Sequence, residues 1–261
     1  MKPRQTPHSP SAASNAACAG RMLLALLALL IMALPAAAAG GASSEPAAAP
    51  DFAAIDAYVQ SRQQATRLPG LALGIVQGDQ IVHLAGFGSA DSAGRPVTPQ
   101  TPFTIGSTSK SFTALAIMQL VEAGQVELDA PARQYLPWFQ VADVGAAERI
   151  TVRHLLNQTS GFPTLERAGE LRRSDSSAGA LEAYVRALAG VHLAAPPGEG
   201  FHYSNTNFNV LGLIVQTVSG QPYEQYLAAR IFAPLEMRNS FTSPETALAA
   251  GRATGRPNQK R

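Results

Sequence analysis

The sequence predicts an α+β fold in which one antiparallel β-hairpin precedes a group of apolar helices. Three observations carry this expectation. Residues 71–76 and 80–87 are apolar and β-branched and are joined by Gly78-Asp79, the pattern of a hairpin. Residues 111–122 form an apolar run that ends at Gly124, a left-handed helix stop. Residues 207–218 form a second such run, ended by Gly220. A lone hairpin is barely stable, so the sheet predicted here is short of strands for the number of helices.

Composition sets the outer bounds. The chain has 261 residues, 46% hydrophobic and 15% charged, which suits a core-forming protein of one large or two small domains. Its formal charge is +2; without Lys2, Arg4 and Arg21 the count is 17 basic against 18 acidic, a net of −1. No basic patch is present, which argues against a nucleic-acid partner. Residues 1–39 read as an export signal: Lys2, Arg4 and Arg21 are basic, no acid precedes Glu45, and an apolar core at 22–34 is followed by Pro35 and four alanines. A permanent span needs about 20 apolar residues, so cleavage near Ala39 is expected, giving a secreted or periplasmic protein with no membrane span; an uncleaved anchor is the alternative. Cys18, the single cysteine, precedes the apolar core and leaves with the signal, which excludes disulfide and thiol chemistry from the mature chain.

The remaining elements follow in order. Residues 40–50 are an Ala/Ser/Pro linker, and residues 51–244 are the folded domain. Phe52, Ile55, Tyr58 and Val59 share a helix face. Pro69-Gly70 turns the chain into the hairpin, and residues 88–102 are irregular. After Gly124 come a connection, one helical turn before Pro137, and the anchors Trp138 and Phe139. Thr151 is placed to cap a helix over 152–157. Residues 167–179 are polar and expected to be exposed. A helix over 181–189 stops at Gly190, Pro196-Pro197-Gly198 breaks the chain, and a helix is expected over 222–230. Residues 245–261 lack aromatic residues and periodicity and are expected to be disordered.

The stretch from Phe103 to Gly124 carries the chemistry. Phe103 to Ile105 is a β-prone lead-in to Gly106, and Ser107, Thr108 and Ser109 offer hydroxyl caps to the helix behind them. Between Ala114 and Val121 only Gln119 is polar, so the helix is expected to be buried on most sides with its N-terminus deep in the protein. Ser107 and Lys110 are three residues apart and therefore share a face. A serine becomes a strong nucleophile when a base takes its proton. A lysine amine serves as that base where burial and the positive end of a helix favour its neutral form. Only Lys2, Lys110 and Lys260 are lysines; every other cation is Arg, which cannot give up its proton. A Ser-x-x-Lys match is expected by chance about 0.2 times in a chain of this composition, so a surface Lys110 remains open on this stretch alone. A second group, Tyr203-Ser204-Asn205, sits in a loop after Pro197-Gly198: the phenol can relay a proton, and the carboxamide can pair with an amide-bearing substrate.

These stretches together resemble the serine β-lactamase and penicillin-binding protein superfamily, in which Ser-x-x-Lys is a signature. The Tyr-x-Asn form is similar to class C β-lactamases, D,D-peptidases and related esterases. The resemblance also takes in Pro69-Gly70-Leu71-Ala72, His154-Leu155-Leu156-Asn157-Gln158-Thr159-Ser160-Gly161 and Pro197-Gly198-Glu199-Gly200-Phe201-His202-Tyr203, and it covers roughly residues 51–254. It implies a β-lactamase/transpeptidase-like fold, an antiparallel sheet flanked by helices plus a helical lobe. It also implies an acyl-enzyme hydrolase without cofactor, acting on a small-molecule or peptide substrate. Ser107 would attack the carbonyl, Lys110 and Tyr203 would share proton transfer, Asn205 would bind the substrate amide, and the Ser107 N–H would be one oxyanion donor. His154 belongs to the helix-and-loop framework of the family motif, which favours a packing role. His83 and His202 have no metal-ligand spacing to another His, Asp or Glu, so no metal is expected.

One departure stands against the matches. The family's third motif, Lys-Thr-Gly or His-x-Gly on a late strand, has no counterpart after Asn205. The expectation is therefore a fold with the late sheet strands missing. Three functions stay open: an exported serine hydrolase acting on an amide, β-lactam or ester; an impaired or inactive truncated relative; and a membrane-tethered ligand-binding protein of the same fold.

Overall fold

The computed structural model describes residues 50–164, 177 and 179–254. The expected signal at 1–39, the linker up to residue 49, most of the polar stretch at 167–179, and residues 255–261 of the tail expected to be disordered lie outside the described residues. The architecture is α+β. Helix α1 (Phe52–Ala65) is capped by Asp51, whose Oδ1 accepts from Ala54 N at 3.0 Å. Strands β1 (Gly70–Gln77) and β2 (Gln80–Gly88) pair antiparallel, with Leu71 opposite Phe87 and Ile75 opposite His83. A bulge follows Ile75, so Val76 faces Ile81. Gly86 is glycine for a packing reason: a Cβ there would lie 2.3 Å from Val97 O, where the irregular segment crosses the hairpin. Helix α1 is tied to β2 through His83, which stacks on Phe52 at 4.8 Å and bonds Asp56 Oδ1 at 2.7 Å. The expected α1 face is only partly used, since Tyr58 remains exposed.

The helical part starts with a 3-10 turn, Gly106–Ser109, that runs into α2 (Lys110–Glu122). Then come α3 (Ala132–Tyr135), α4 (Val152–Leu156), α5 (Ala180–Ala187), α6 (Asn205–Ser219), α7 (Tyr223–Leu227), which widens into a π turn at Ala228–Phe232, and α8 (Pro244–Ala249). Helix α6 is the hub, with α2, α4, α5 and α7 all packed on it. Its Val210, Leu211, Ile214 and Val215 meet Ala116, Ile117 and Leu120 of α2 in a core that also holds Phe139 and Phe162. Among the described residues the core draws nothing from the hairpin, whose Val76, Ile81 and Leu84 are exposed.

Local signals read from the sequence reappear as geometry. Gly124 and Gly220 end α2 and α6 with φ of +69° and +68°. Thr151 Oγ1 accepts from His154 N, and the His154 ring reaches back to the Thr151 N–H, so this histidine serves as half of a capping box. Phe139 is fully buried, and the Arg186 guanidinium lies 3.8 Å from the Trp138 ring centre.

Two expectations are corrected. Residues 245–254 are ordered: Ser243 caps α8, Ala247 is buried, and Ala253 N and Thr254 N donate to Pro102 O and Ala90 O, each at 2.8 Å. Those bonds join residues more than a hundred positions apart, so no local pattern announces them. Helix α2 is buried on one side only, because Leu115 and Met118 are exposed opposite the face that meets α6.

Candidate active site

Two chain segments, 96 residues apart in sequence, meet at the front of α2 and α6. The 3-10 turn at Gly106–Ser109 stands before α2, and Gly106 takes φ +55°, a conformation that favours glycine. No side-chain cap bond forms at Ser109, so the three hydroxyl residues do not act as the expected caps. Ser107 is exposed and Lys110 half-buried, which corrects the expectation of a deeply buried helix start. On the other segment, Ser204 is extended and Asn205 is the first residue of α6. Asn205 therefore rides on a buried helix, whereas the sequence placed it in a loop.

All four expected residues come together. Ser107 Oγ and Tyr203 Oη are 2.6 Å apart, and Lys110 Nζ donates to Ser107 Oγ at 3.2 Å. Lys110 Nζ also donates to Asn205 Oδ1, and Tyr203 Oη donates to the same oxygen at 3.4 Å. Lys110 Nζ lies 4.9 Å from the Tyr203 ring centre and 5.7 Å from that of Phe208, so two aromatic faces border the amine. The serine hydroxyl thus has two proton-transfer partners within hydrogen-bond reach. The Asn205 carboxamide oxygen holds Lys110, and its Nδ2 makes no hydrogen bond to the described residues. That leaves the NH₂ group to meet a ligand carbonyl.

A cavity of about 440 Å³ opens beside Ser107 and Lys110, lined also by Thr113, Asn209, Gly212 and Tyr223. Tyr223 Oη and Thr113 Oγ1 are 2.6 Å apart, and burial pushes the Tyr223 phenol up from its ordinary value. The sign follows directly. In the unfolded chain this phenol ionises near pH 10, while in the folded chain it holds its proton to higher pH. Its contribution to stability is complete below the unfolded value and is lost as pH rises through the folded one. Alkaline unfolding curves are expected to fall more steeply for the natural chain than for Tyr223→Phe; parallel curves above pH 10 would remove this assignment.

The sequence reading missed the framework behind Tyr203. Gln158, Ser160, Ser204 and Asn207 are buried and bonded to one another around the entry to α6. Ser204 Oγ donates to Pro163 O at 2.7 Å, and Thr164 Oγ1 donates to Tyr203 O at 2.7 Å. The available signal was a cluster of short polar residues inside otherwise apolar stretches, which by itself reads as ordinary loop and cap chemistry.

The Beta-lactamase family profile matches residues 55–261. Penicillin-binding protein 4 of Amycolatopsis lactamdurans is 36% identical over 198 residues, covering 74% of this chain and 50% of that protein. The octameric penicillin-binding protein homologue of Pyrococcus abyssi superposes with a TM-score of 0.66 at 33% identity, over 76% of this chain and 46% of its own. The D-amino acid amidase of Ochrobactrum anthropi SV3 gives a TM-score of 0.64 at 29% identity, over 79% of this chain and 57% of its own. The chain spans 37% to 50% of the length of the first curated relatives it matches.

Proposed function

Since the chain belongs to the β-lactamase family, we propose that it is an exported serine hydrolase that forms an acyl-enzyme on Ser107 with an amide, β-lactam or ester. The observation that carries this reading is the triangle of Ser107, Tyr203 and Lys110, with Ser107 Oγ at 2.6 Å from the phenol and 3.2 Å from the amine. Ser107 Oγ attacks the substrate carbonyl carbon while its proton passes to Tyr203 in its phenolate form or to neutral Lys110. The Ser107 N–H, at the start of the turn before α2, is one donor to the developing oxyanion. The C–N or C–O bond then breaks, the leaving group takes up the proton, and water cleaves the ester on Ser107. The names of the penicillin-binding and amidase relatives support a carbonyl substrate carrying an amide or lactam, which the Asn205 NH₂ group suits.

The test is covalent. The chain incubated with a labelled penicillin or a fluorophosphonate is expected to gain one adduct, mapped by peptide mass spectrometry to the fragment containing Ser107. An adduct on any other residue rejects the reading. Export rests on the short apolar core at 22–34 with its small-residue flank. Mass spectrometry of the periplasmic or secreted protein is expected to show a chain beginning near Gly40; a chain still beginning at Met1 or Lys2 would sink that part.

A second reading is an impaired relative, or a membrane-tethered one, that binds ligand without useful turnover. Site exposure favours it, because Ser107 is exposed and Tyr203 is 40% exposed, and charge stabilisation is strongest where water is excluded. Reversible binding of penicillin with no adduct on Ser107 would select it.

A further inference from the structure

We infer that Gln158 is a positioning residue that sets the Tyr203 phenol against Ser107; the inference rests on the catalytic reading above and adds a residue to it. Gln158 grips the chain on both sides of Tyr203. Its main-chain oxygen accepts from His202 N at 2.8 Å, and its side-chain Oε1 accepts from Ser204 N at 2.9 Å. The same Oε1 accepts from Asn207 Nδ2 at 2.6 Å, which ties the grip to the first turn of α6. Asn207 is itself held by Ser160, whose hydroxyl donates to Asn207 Oδ1 at 2.5 Å. These bonds hold the 201–202 and 203–204 peptide groups, which bracket Tyr203 and restrict its Cα–Cβ direction.

Gln158 bears two unfavourable features to do this. Its φ is +61°, a left-handed conformation uncommon for a residue with a side chain. It is 6% exposed, and its Nε2 is buried with no partner among the described residues. The positive φ turns the main-chain and side-chain oxygens toward the same segment, and the carboxamide is oriented for its oxygen alone. Strain of this kind persists where the surroundings over-determine it, and it clusters at functional sites. Gln158 combines a left-handed backbone with an orphaned buried donor, a pairing that calls for a compensating role.

The chemistry gives Tyr203 a proton-relay role that depends on a short contact. Losing the grip lets the 202–204 backbone relax, which lengthens the phenol–serine separation beyond hydrogen-bond reach. Gln158→Met keeps the volume and deletes the acceptor. Gln158→Glu keeps the acceptor oxygen.

The test is a double-mutant cycle on the rate at which a fluorophosphonate labels Ser107, in the full chain. Gln158→Met is expected to slow labelling about tenfold or more in the Tyr203 background and less than about twofold in the Tyr203→Phe background. Gln158→Glu is expected to restore most of the rate. Equal losses in both backgrounds, or no loss in the first, would overturn the inference, since a general folding defect slows both alike. Where Gln158→Met does not fold, Gln158→Asn, one methylene too short to reach Ser204 N, takes its place. If the natural chain is not labelled at all, the catalytic reading fails, and a crystal structure of the variant still decides on Gln158: an unchanged Tyr203–Ser107 contact overturns the inference, and a lengthened one supports it.

Discussion

Replacing Ser107 with alanine is expected to abolish covalent labelling by a fluorophosphonate, and replacing Lys110 with arginine to slow it by about 10²–10⁴-fold, the usual worth of a positioned general base. The serine result follows from chemistry alone, because no other hydroxyl has both Tyr203 and Lys110 within hydrogen-bond distance among the described residues. The arginine result separates two roles of Lys110. As a fixed charge it holds Asn205 Oδ1 and lies over the Tyr203 and Phe208 rings. Arginine keeps a charge there and stacks well on aromatic faces, but it cannot accept a proton. A rate within threefold of the natural chain would assign the proton to Tyr203 alone. Both variants preserve the core, so their unfolding curves serve as the control for folding.

Gly161→Ala is expected to destabilise the fold by about 3 kcal/mol or more, combining a strained backbone with an overpacked contact. Gly161 has φ +87°, and a Cβ at this position would lie 2.0 Å from Ala195 O. That carbonyl belongs to backbone, held beside the loop by the bond from Ala194 N to Gly161 O at 2.8 Å, so it cannot rotate away as a side-chain tip would. Gly220→Ala is the matched control, with φ +68° and nothing within 4 Å of the added carbon. It is expected to cost about 1–2 kcal/mol, the backbone penalty alone. Urea unfolding of the two variants measures the difference. Equal losses would mean that the segment at Ala195 gives way. The loop at Gly161 also carries Gln158 and Thr164, so Gly161→Ala is expected to slow labelling of Ser107 even under conditions where the variant is folded.

Much of the fold was legible because its signals are local. The hairpin came out within one residue at each end, since a Gly-Asp turn between β-branched runs admits few alternatives. Gly124 and Gly220 marked helix ends because only residues tolerant of positive φ stop a helix this way. The α8 region was misread as disordered for the opposite reason. Its order comes from bonds to Pro102 and Ala90, and a sequence lacking periodicity has no means of showing a distant backbone partner. Likewise, the apolar run of α2 suggested burial on most sides, while the structure covers one face and leaves Leu115 and Met118 exposed.

The sequence by itself singled out the candidate reactive groups and their local spacing. Helical spacing places Ser107 one turn from Lys110, and a single residue, Ser204, separates Tyr203 from Asn205; neither fact needs the rest of the chain. The tertiary structure decided that these pairs form one site. Their meeting depends on α2 packing against α6, an outcome of apolar burial summed over many side chains, none of which is specific to the site. It also decided how Tyr203 is held. Gln158 works through one carboxamide oxygen and one left-handed backbone angle, and hydrogen-bond geometry of that kind is set by the packed surroundings, not by the residue type that supplies it.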